Sequence, residues 1–280
     1  MRLALAAILL SSLSAARAPA TARSTLVACA PGYPGTTEEA QPNMDALASA
    51  AARAARWPEG ALAAVYEPSE RSGLARLAGQ DVGVALVPLP FYAKHRAALR
   101  LRPRVEVVNE GAGVGGETWA LVAKRGRVTA ASSLTGFAVA SSAGYAPEFV
   151  RAVLAGWGRL PADARIAESS QVLSTLRRAA SGDDVAVLLD GTQAAALPSL
   201  PFAGELEVVA RSDPLPSGLV VTVGDRLPEA RWRALESALL ALPSTPDGSA
   251  ALQGLRVARF APLDPAALAR IDRLLAGTRR

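Results

Sequence analysis

Two adjacent serines, Ser141 and Ser142, lie between a predicted strand and a predicted helix. A nucleophilic serine on such a turn needs a general base, and the single histidine of the chain, His95, lies upstream of it. Enzymes that use this turn place the histidine after the serine, so a Ser–His–Asp triad is not favoured. Two interpretations remain open, namely anion capture by hydroxyls and free N–H groups at a helix start, or an ordinary helix cap.

A second motif, Gly111-x-Gly113-x-x-Gly116, has the glycine spacing of a dinucleotide-binding turn. That turn requires a helix after it, but here the β-type run Trp119–Lys124 follows. We therefore interpret the glycines as a hinge between two lobes. With one histidine and one cysteine, Cys29, the chain offers no zinc or iron cluster, and we predict no cofactor and no metal.

The charge pattern argues against a nucleic-acid partner. The chain of 280 residues carries 30 basic and 25 acidic residues, with a formal charge of +5. The basic residues are scattered rather than clustered, and aromatic residues make up 5%. We expect a monomeric globular protein.

The N-terminus predicts export. A positive start is followed by the apolar run Leu3–Leu10 and by the cleavage-like triplet Ala16–Ala18. Residues 1–18 are therefore predicted to be a cleavable signal peptide, which would make the mature protein periplasmic. Cys29 has the setting of a lipoprotein box, but the apolar run ends well before it. A buried cysteine in the first core strand is favoured over lipid anchoring.

The remaining chain alternates short apolar runs with amphipathic helical runs, and the series occurs twice. This pattern predicts an α/β fold with two lobes, each a mainly parallel sheet flanked by helices. We expect residues 24–112 and 217–280 to form the first lobe, and residues 113–216 to form the second. The chain would cross between lobes at 111–116 and 213–217, and the last two helices would return to the first lobe.

Ligands of such folds lie at the carboxyl ends of strands and at helix starts. Hydroxyls and backbone amides at these positions suit a small oxyanion, and the acidic residues suit an ammonium group or a protonated oxyanion. Several of the same residues could instead only cap helices. The candidate ligand-binding residues are Tyr33, Gly35, Thr36, Thr37, Tyr66, Glu67, Ser69, Phe91, Tyr92, Ser141, Ser142, Tyr145, Glu168, Ser169, Ser170, Asp190, Thr192 and Gln193.

Several segments together resemble the phosphate/phosphonate-type periplasmic solute-binding proteins of ABC transporters, which have the type 2 periplasmic-binding-protein fold. The opening 30–37 is similar to theirs, Ser141–Gly144 resembles their serine- and threonine-rich anion loop, and Ser212–Pro216 resembles their return hinge. Further similar segments are Leu74–Val87, Trp119–Lys124, Asp184–Asp190 and Phe260–Asp264. The loop differs by having alanine at 140, where an acidic residue and a proline often precede the serines.

The resemblance implies a solute-binding protein that captures a small anion, phosphate- or phosphonate-like, for an ABC permease of the inner membrane, and that is not an enzyme. A ligand-binding sensor or accessory protein that feeds a receptor would have the same fold, so the sequence leaves it open. A serine hydrolase is the less favoured alternative, because the chain supplies no evident base.

Overall fold

The computed structural model describes residues 23–33, 35–111 and 116–277. The predicted signal peptide, and Gly113 and Gly115 of the predicted hinge, lie outside the described residues. Within the described ranges, no helix has the length and apolar character needed to cross a membrane.

The strands and helices alternate along the chain. The strands are β1 Ser24–Cys29, β2 Leu62–Glu67, β3 Val82–Pro88, β4 Leu101–Asn109, β5 Ala120–Lys124, β6 Ala138–Ser141, β7 Arg165–Glu168, β8 Val185–Leu189, β9 Leu206–Arg211, β10 Gly218–Val223 and β11 Val257–Pro262. The helices are α1 Thr37–Ala54, α2 Glu70–Leu77, α3 Leu89–His95, α4 Pro147–Leu154, α5 Val172–Ser181, α6 Gly191–Ala196, α7 Glu229–Ala241, α8 Pro246–Gly254 and α9 Pro265–Gly277.

The described strands form two separate sheets. The first has the order β11-β4-β10-β3-β1-β2, and the second has the order β7-β6-β8-β5-β9. The predicted two-lobed α/β fold is therefore confirmed. We keep the predicted residue boundaries of the two lobes as a proposal.

The prediction that each sheet is mainly parallel is wrong, because both sheets are mixed. β1 pairs in parallel with β2 and β3, whereas β10 runs antiparallel to β3 and β4, and β11 runs antiparallel to β4. In the second sheet β6 pairs in parallel with β7 and β8, and β5 is antiparallel to β8 and β9. The chain enters β5 and β10 directly after it crosses between the sheets. No described helix directly precedes either strand, whereas a parallel neighbour requires a crossover connection such as the helix of a βαβ unit.

The two crossings lie side by side. Glu117, on the first crossing, forms an isolated antiparallel bridge with Leu215, on the second. The Glu117 N–H donates to the Leu215 carbonyl at 2.8 Å, and the Leu215 N–H donates back at 2.9 Å. The connection between the sheets is thus a short two-stranded link.

The first helix, α1, follows the loop after β1, and its first turn lines the cavity between the lobes. Its start is fixed by a capping box, in which the Thr36 hydroxyl accepts from the Glu39 N–H at 3.2 Å and the Glu39 carboxylate accepts from the Thr36 N–H at 2.9 Å. Met44, Leu47 and Ala51 recur at helical spacing and are buried against the first sheet.

The last helix departs from the expected arrangement. α7 packs against α1 of the first lobe as expected, but α9 packs against α4 of the second lobe. Ile271 and Leu275 on α9 are buried in one core cluster with Phe149 of α4 and Phe91 of α3. Because this core is shared by both lobes, the lobes are tied together on the side of α3, α4 and α9.

Candidate ligand-binding cleft

A cavity of about 1060 Å³ lies between the two lobes. The first lobe contributes the carboxyl ends of β1, β3 and β4 and the start of α1, and the second lobe contributes the starts of α5 and α6. This is the position at which α/β folds bind ligands, since side chains and free backbone groups converge at the strand ends.

The two lobes already touch beside this cavity. The Tyr33 hydroxyl, in the loop after β1, donates to Asp190 Oδ2 at 3.1 Å, and Asp190 begins α6 of the second lobe. Lys94 of α3 donates to the backbone carbonyl of Tyr145 at 2.6 Å. The structure therefore shows the cleft in a closed arrangement.

Gly32 makes this approach possible. Its φ is +82°, and a Cβ added there would lie 2.1 Å from the carbonyl oxygen of Ser142 in the opposite lobe. Only a residue without a side chain allows the two loops to come this close.

Two buried carboxyl groups, Glu117 and Asp190, face each other where the cleft meets the crossings. Burial, followed by the nearby Asp190 charge, raises the pKa of Glu117 to about 7, although the nearby Ser217 hydroxyl and Gly191 N–H partly offset this. Burial also raises the pKa of Asp190, against the effect of hydrogen bonds from the Gln193 N–H and the Tyr33 hydroxyl. Two carboxylates this close to each other in a buried site do not ionise independently.

The serine pair of the sequence analysis separates into two roles. The Ser141 hydroxyl donates to the Leu188 carbonyl at 2.8 Å and accepts from the Ala143 N–H at 3.1 Å, so it stabilises its own loop. The Ser142 hydroxyl is 1% exposed and has no hydrogen-bond partner among the described residues. The buried Tyr145 hydroxyl, three residues later, also lacks one. Buried hydroxyls without partners are costly, which is typical of a site that a ligand completes.

A charged cluster lies next to Tyr145 on the first lobe. Glu70 accepts from both Lys94 and His95 at 2.6 Å. Burial tends to raise the pKa of Glu70, but these two hydrogen bonds outweigh it and the pKa is lowered. Since Lys94 also donates to the Tyr145 carbonyl, the cluster links α3 of the first lobe to the loop before α4 of the second.

Fewer than half of the predicted site residues line the cavity, and their role in binding stays a prediction. Those that line it are Tyr33, Gly35, Thr36, Tyr66, Ser170, Asp190, Thr192 and Gln193.

The other candidates lie elsewhere. Ser141, Ser142, Tyr145, Phe91 and Tyr92 are buried at or near the boundary between the lobes. The remaining ones sit at strand ends or helix starts outside the cavity lining, where Ser69 caps α2 and Ser169 bonds to Thr175. These are Thr37, Glu67, Ser69, Glu168 and Ser169.

This region also holds polar residues that were not predicted from the sequence. Glu117 and Ser217 flank the crossings, and Arg177 and Arg256 lie at the cavity lining from opposite lobes. Glu117 follows directly on the glycine run that predicted the hinge, so its position was a usable signal. The two arginines had none, because α5 and the α8–β11 turn meet only in the folded chain.

Cys29 is the last residue of β1 and is buried, as predicted for a core cysteine. Burial, with a smaller effect of Glu67, raises the pKa of its thiol to about 12. It is therefore a protonated packing residue next to Gly73. Among the described residues, no group of three or more His, Cys, Asp or Glu side chains could hold a metal ion.

The two sheets with their flanking helices have the two-lobed fold of periplasmic binding proteins. Residues 160–268 match the family model described as "ABC transporter, phosphonate, periplasmic substrate-binding protein", so the resemblance found in the sequence is confirmed. That family is a periplasmic substrate-binding family of transporters rather than a family of enzymes. No curated protein matches the chain.

Solved structures support the same fold. A Xanthomonas citri protein bound to ATP superposes with a TM-score of 0.71 at 17% identity, over 92% of this chain and 98% of that one. The binding protein component of an ABC phosphonate transporter from Pseudomonas aeruginosa gives 0.61 at 12% identity, over 92% and 87%. A Prochlorococcus marinus protein in complex with methylphosphonate gives 0.59 at 12% identity, over 91% and 97%.

Proposed function

We propose that this protein is a monomeric, exported solute-binding protein that captures a phosphonate-like anion between its lobes and delivers it to an ABC permease. The main support for an anionic ligand is the pair of buried, unpartnered hydroxyls of Ser142 and Tyr145 just before α4. Hydroxyl donors and the free N–H groups of a helix start suit an oxyanion. The matched family and the methylphosphonate complex support the same ligand class.

A protonated oxyanion or a ligand with an ammonium group fits the carboxyl groups of Glu117 and Asp190 in the same lobe. Asp190 and Glu117 are acceptors there when ionised, and Tyr33 is a donor whose pKa is raised well above its usual value by burial and by these two carboxyls. Binding would therefore place the anionic part of the ligand towards α4 and any acidic or cationic hydrogen towards Asp190.

The same geometry speaks against serine hydrolysis. No described residue hydrogen-bonds to the Ser142 hydroxyl, and His95 is engaged with Glu70. A nucleophile requires a base within hydrogen-bond reach, so we propose a binding role without catalysis.

Replacing Ser142 with alanine tests this proposal. We expect the affinity for methylphosphonate to fall about 10- to 100-fold, the range for one hydrogen bond to a charged group. Stability of the empty protein should hold or rise, because an unsatisfied buried hydroxyl is removed. Isothermal titration calorimetry and thermal unfolding measure the two effects.

The matched control is Ser132→Ala, an exposed serine of the same lobe. It should leave affinity unchanged. If Ser142→Ala also binds methylphosphonate with the wild-type affinity, the α4 loop is not the anion site.

A further inference from the structure

We propose that the ligand is a bulky organic anion, whose phosphonate-like head lies at the lobe boundary and whose apolar body fills the cavity next to it. The inference rests on the proposed function and names the substrate class of the same cleft. Its central observation is that the cavity is far larger than a simple phosphonate ion.

Volume is the first argument. The cavity measures about 1060 Å³, just above the ~300–1,000 Å³ that accommodate drug-sized ligands. Methylphosphonate has only a handful of non-hydrogen atoms and would leave nearly all of this space to water. This space remains although the Tyr33–Asp190 and Lys94–Tyr145 hydrogen bonds already join the lobes.

The cavity wall is the second argument. Apolar side chains from both lobes line it, including Met44, Leu86 and Val107 from the first lobe and Val172 from the second. Leu173, also on this wall, is 52% exposed and is the one exposed large hydrophobic among the described residues. A ligand with an apolar body would cover it and gain about 25 cal/mol per Å² of apolar surface removed from water.

Charge at the cavity lining is the third argument. Arg177 of α5 and Arg256 of the α8–β11 turn are exposed and reach the cavity from opposite lobes. Neither is in an ion pair with a described acidic residue; Arg177 lies over the Phe202 ring at 5.6 Å. Glu39, Glu110 and Asp190 also line the cavity, so its charge is mixed, and the two arginines serve as direct partners for an anionic group rather than as a net positive field.

A series of straight-chain alkylphosphonates, from methyl to hexyl, tests the inference on the wild-type protein by calorimetry. The head group is constant and only the body grows. Affinity should rise with each methylene by up to about fourfold, the value for burying one CH₂ group.

The variant Ala40→Phe fills the cavity from the first turn of α1, where Ala40 is half-buried in the cavity wall. It should lower the affinity for hexylphosphonate by about tenfold or more and leave methylphosphonate unchanged. Ala46→Phe, at an exposed position of the same helix outside the cavity lining, is the matched control and should change neither.

The outcomes separate the two proposals. If methylphosphonate binds but affinity is flat or falls with chain length, or Ala40→Phe has no effect on hexylphosphonate, the bulky ligand is rejected and the phosphonate-binding function stands. If no phosphonate of any length binds, the proposed function fails and this inference fails with it.

Discussion

Replacing Gly32 with alanine is expected to hold the two lobes apart and to weaken ligand binding by about tenfold or more. The added Cβ would lie 2.1 Å from the Ser142 carbonyl oxygen and 2.8 Å from its carbonyl carbon. Both contacts are backbone contacts, so no side-chain rotation relieves them and the loops must separate. Under the proposed function only closed molecules bind tightly, so each 1.4 kcal/mol of cost to closure reduces the apparent affinity tenfold.

Small-angle X-ray scattering and calorimetry with methylphosphonate measure the effect together. The Gly32→Ala protein should have a larger radius of gyration than the wild type and should shrink less when ligand is added. The loss of the Tyr33–Asp190 hydrogen bond, now 3.1 Å long, accompanies the separation.

The control for backbone strain is Gly60→Ala. Gly60 also has a positive φ, +72°, but a Cβ there would meet nothing within 4 Å. Both variants carry the ~1–2 kcal/mol cost of a left-handed alanine, and only Gly32→Ala should lose affinity and compactness. Equal behaviour of the two variants would show that the close approach at Gly32 does not govern closure.

The alternation of apolar and amphipathic runs predicted most helices and strands, because hydrophobic periodicity depends only on residues that are close in the sequence. The strand before and the helix after Ser141 and Ser142, which are β6 and α4, are examples. β11 was missed: Val257–Pro262 alternates weakly and contains a proline, which is typical of an edge strand and lowers the strand signal.

Strand direction and helix docking could not be predicted in the same way. Whether β10 runs parallel or antiparallel depends on which strands flank it, and a buried Gly218–Val223 run is equally apolar in both cases. The docking of α9 on α4 depends on which apolar helix faces remain uncovered once the two sheets and their other helices have packed. Both are properties of the assembled fold rather than of a segment.

The candidate site was predicted only in part for a related reason. Strand ends can be read from the sequence, and Tyr33 and Asp190, which follow β1 and β8, do line the cavity. Which of two adjacent serines turns inward cannot be read, and Ser141 proved to bond within its own loop while Ser142 is unpartnered. The carboxyl of Glu117 becomes chemically distinctive only because folding buries it beside Asp190.

Burial of Glu117 predicts that the protein loses stability as the pH rises from about 4.5 to about 7. Its pKa is raised from 4.5 to about 7, so between these values the folded protein binds a proton that the unfolded chain releases. The stabilisation by the protonated carboxyl is fully present below the pKa that Glu117 has in the unfolded chain. It is lost as the pH rises through the pKa that Glu117 has in the folded protein. At 1.36 kcal/mol per pKa unit, the loss is on the order of 3 kcal/mol.

Burial is the largest cause of the raised pKa of Glu117, and the groups that face its carboxyl modify the size of the shift. Asp190 disfavours the ionised form, and the Ser217 hydroxyl and the Gly191 N–H only partly compensate. The raised pKa of Asp190 acts in the same direction. The backbone of Glu117 also pairs with Leu215 across the two crossings. Its ionisation therefore destabilises the link between the lobes rather than a remote surface.

The variant Glu117→Gln keeps the shape of the side chain and removes the charge. In urea unfolding between pH 4.5 and 8, we expect it to match the wild type at low pH and to exceed it at pH 8 by a free energy on the order of 3 kcal/mol. Glu59→Gln, at an exposed position, should follow the wild-type curve throughout. A difference between Glu117→Gln and wild type that is constant over this pH range would show that Glu117 does not titrate within it, and the buried carboxyl pair would then not be the origin of the pH dependence.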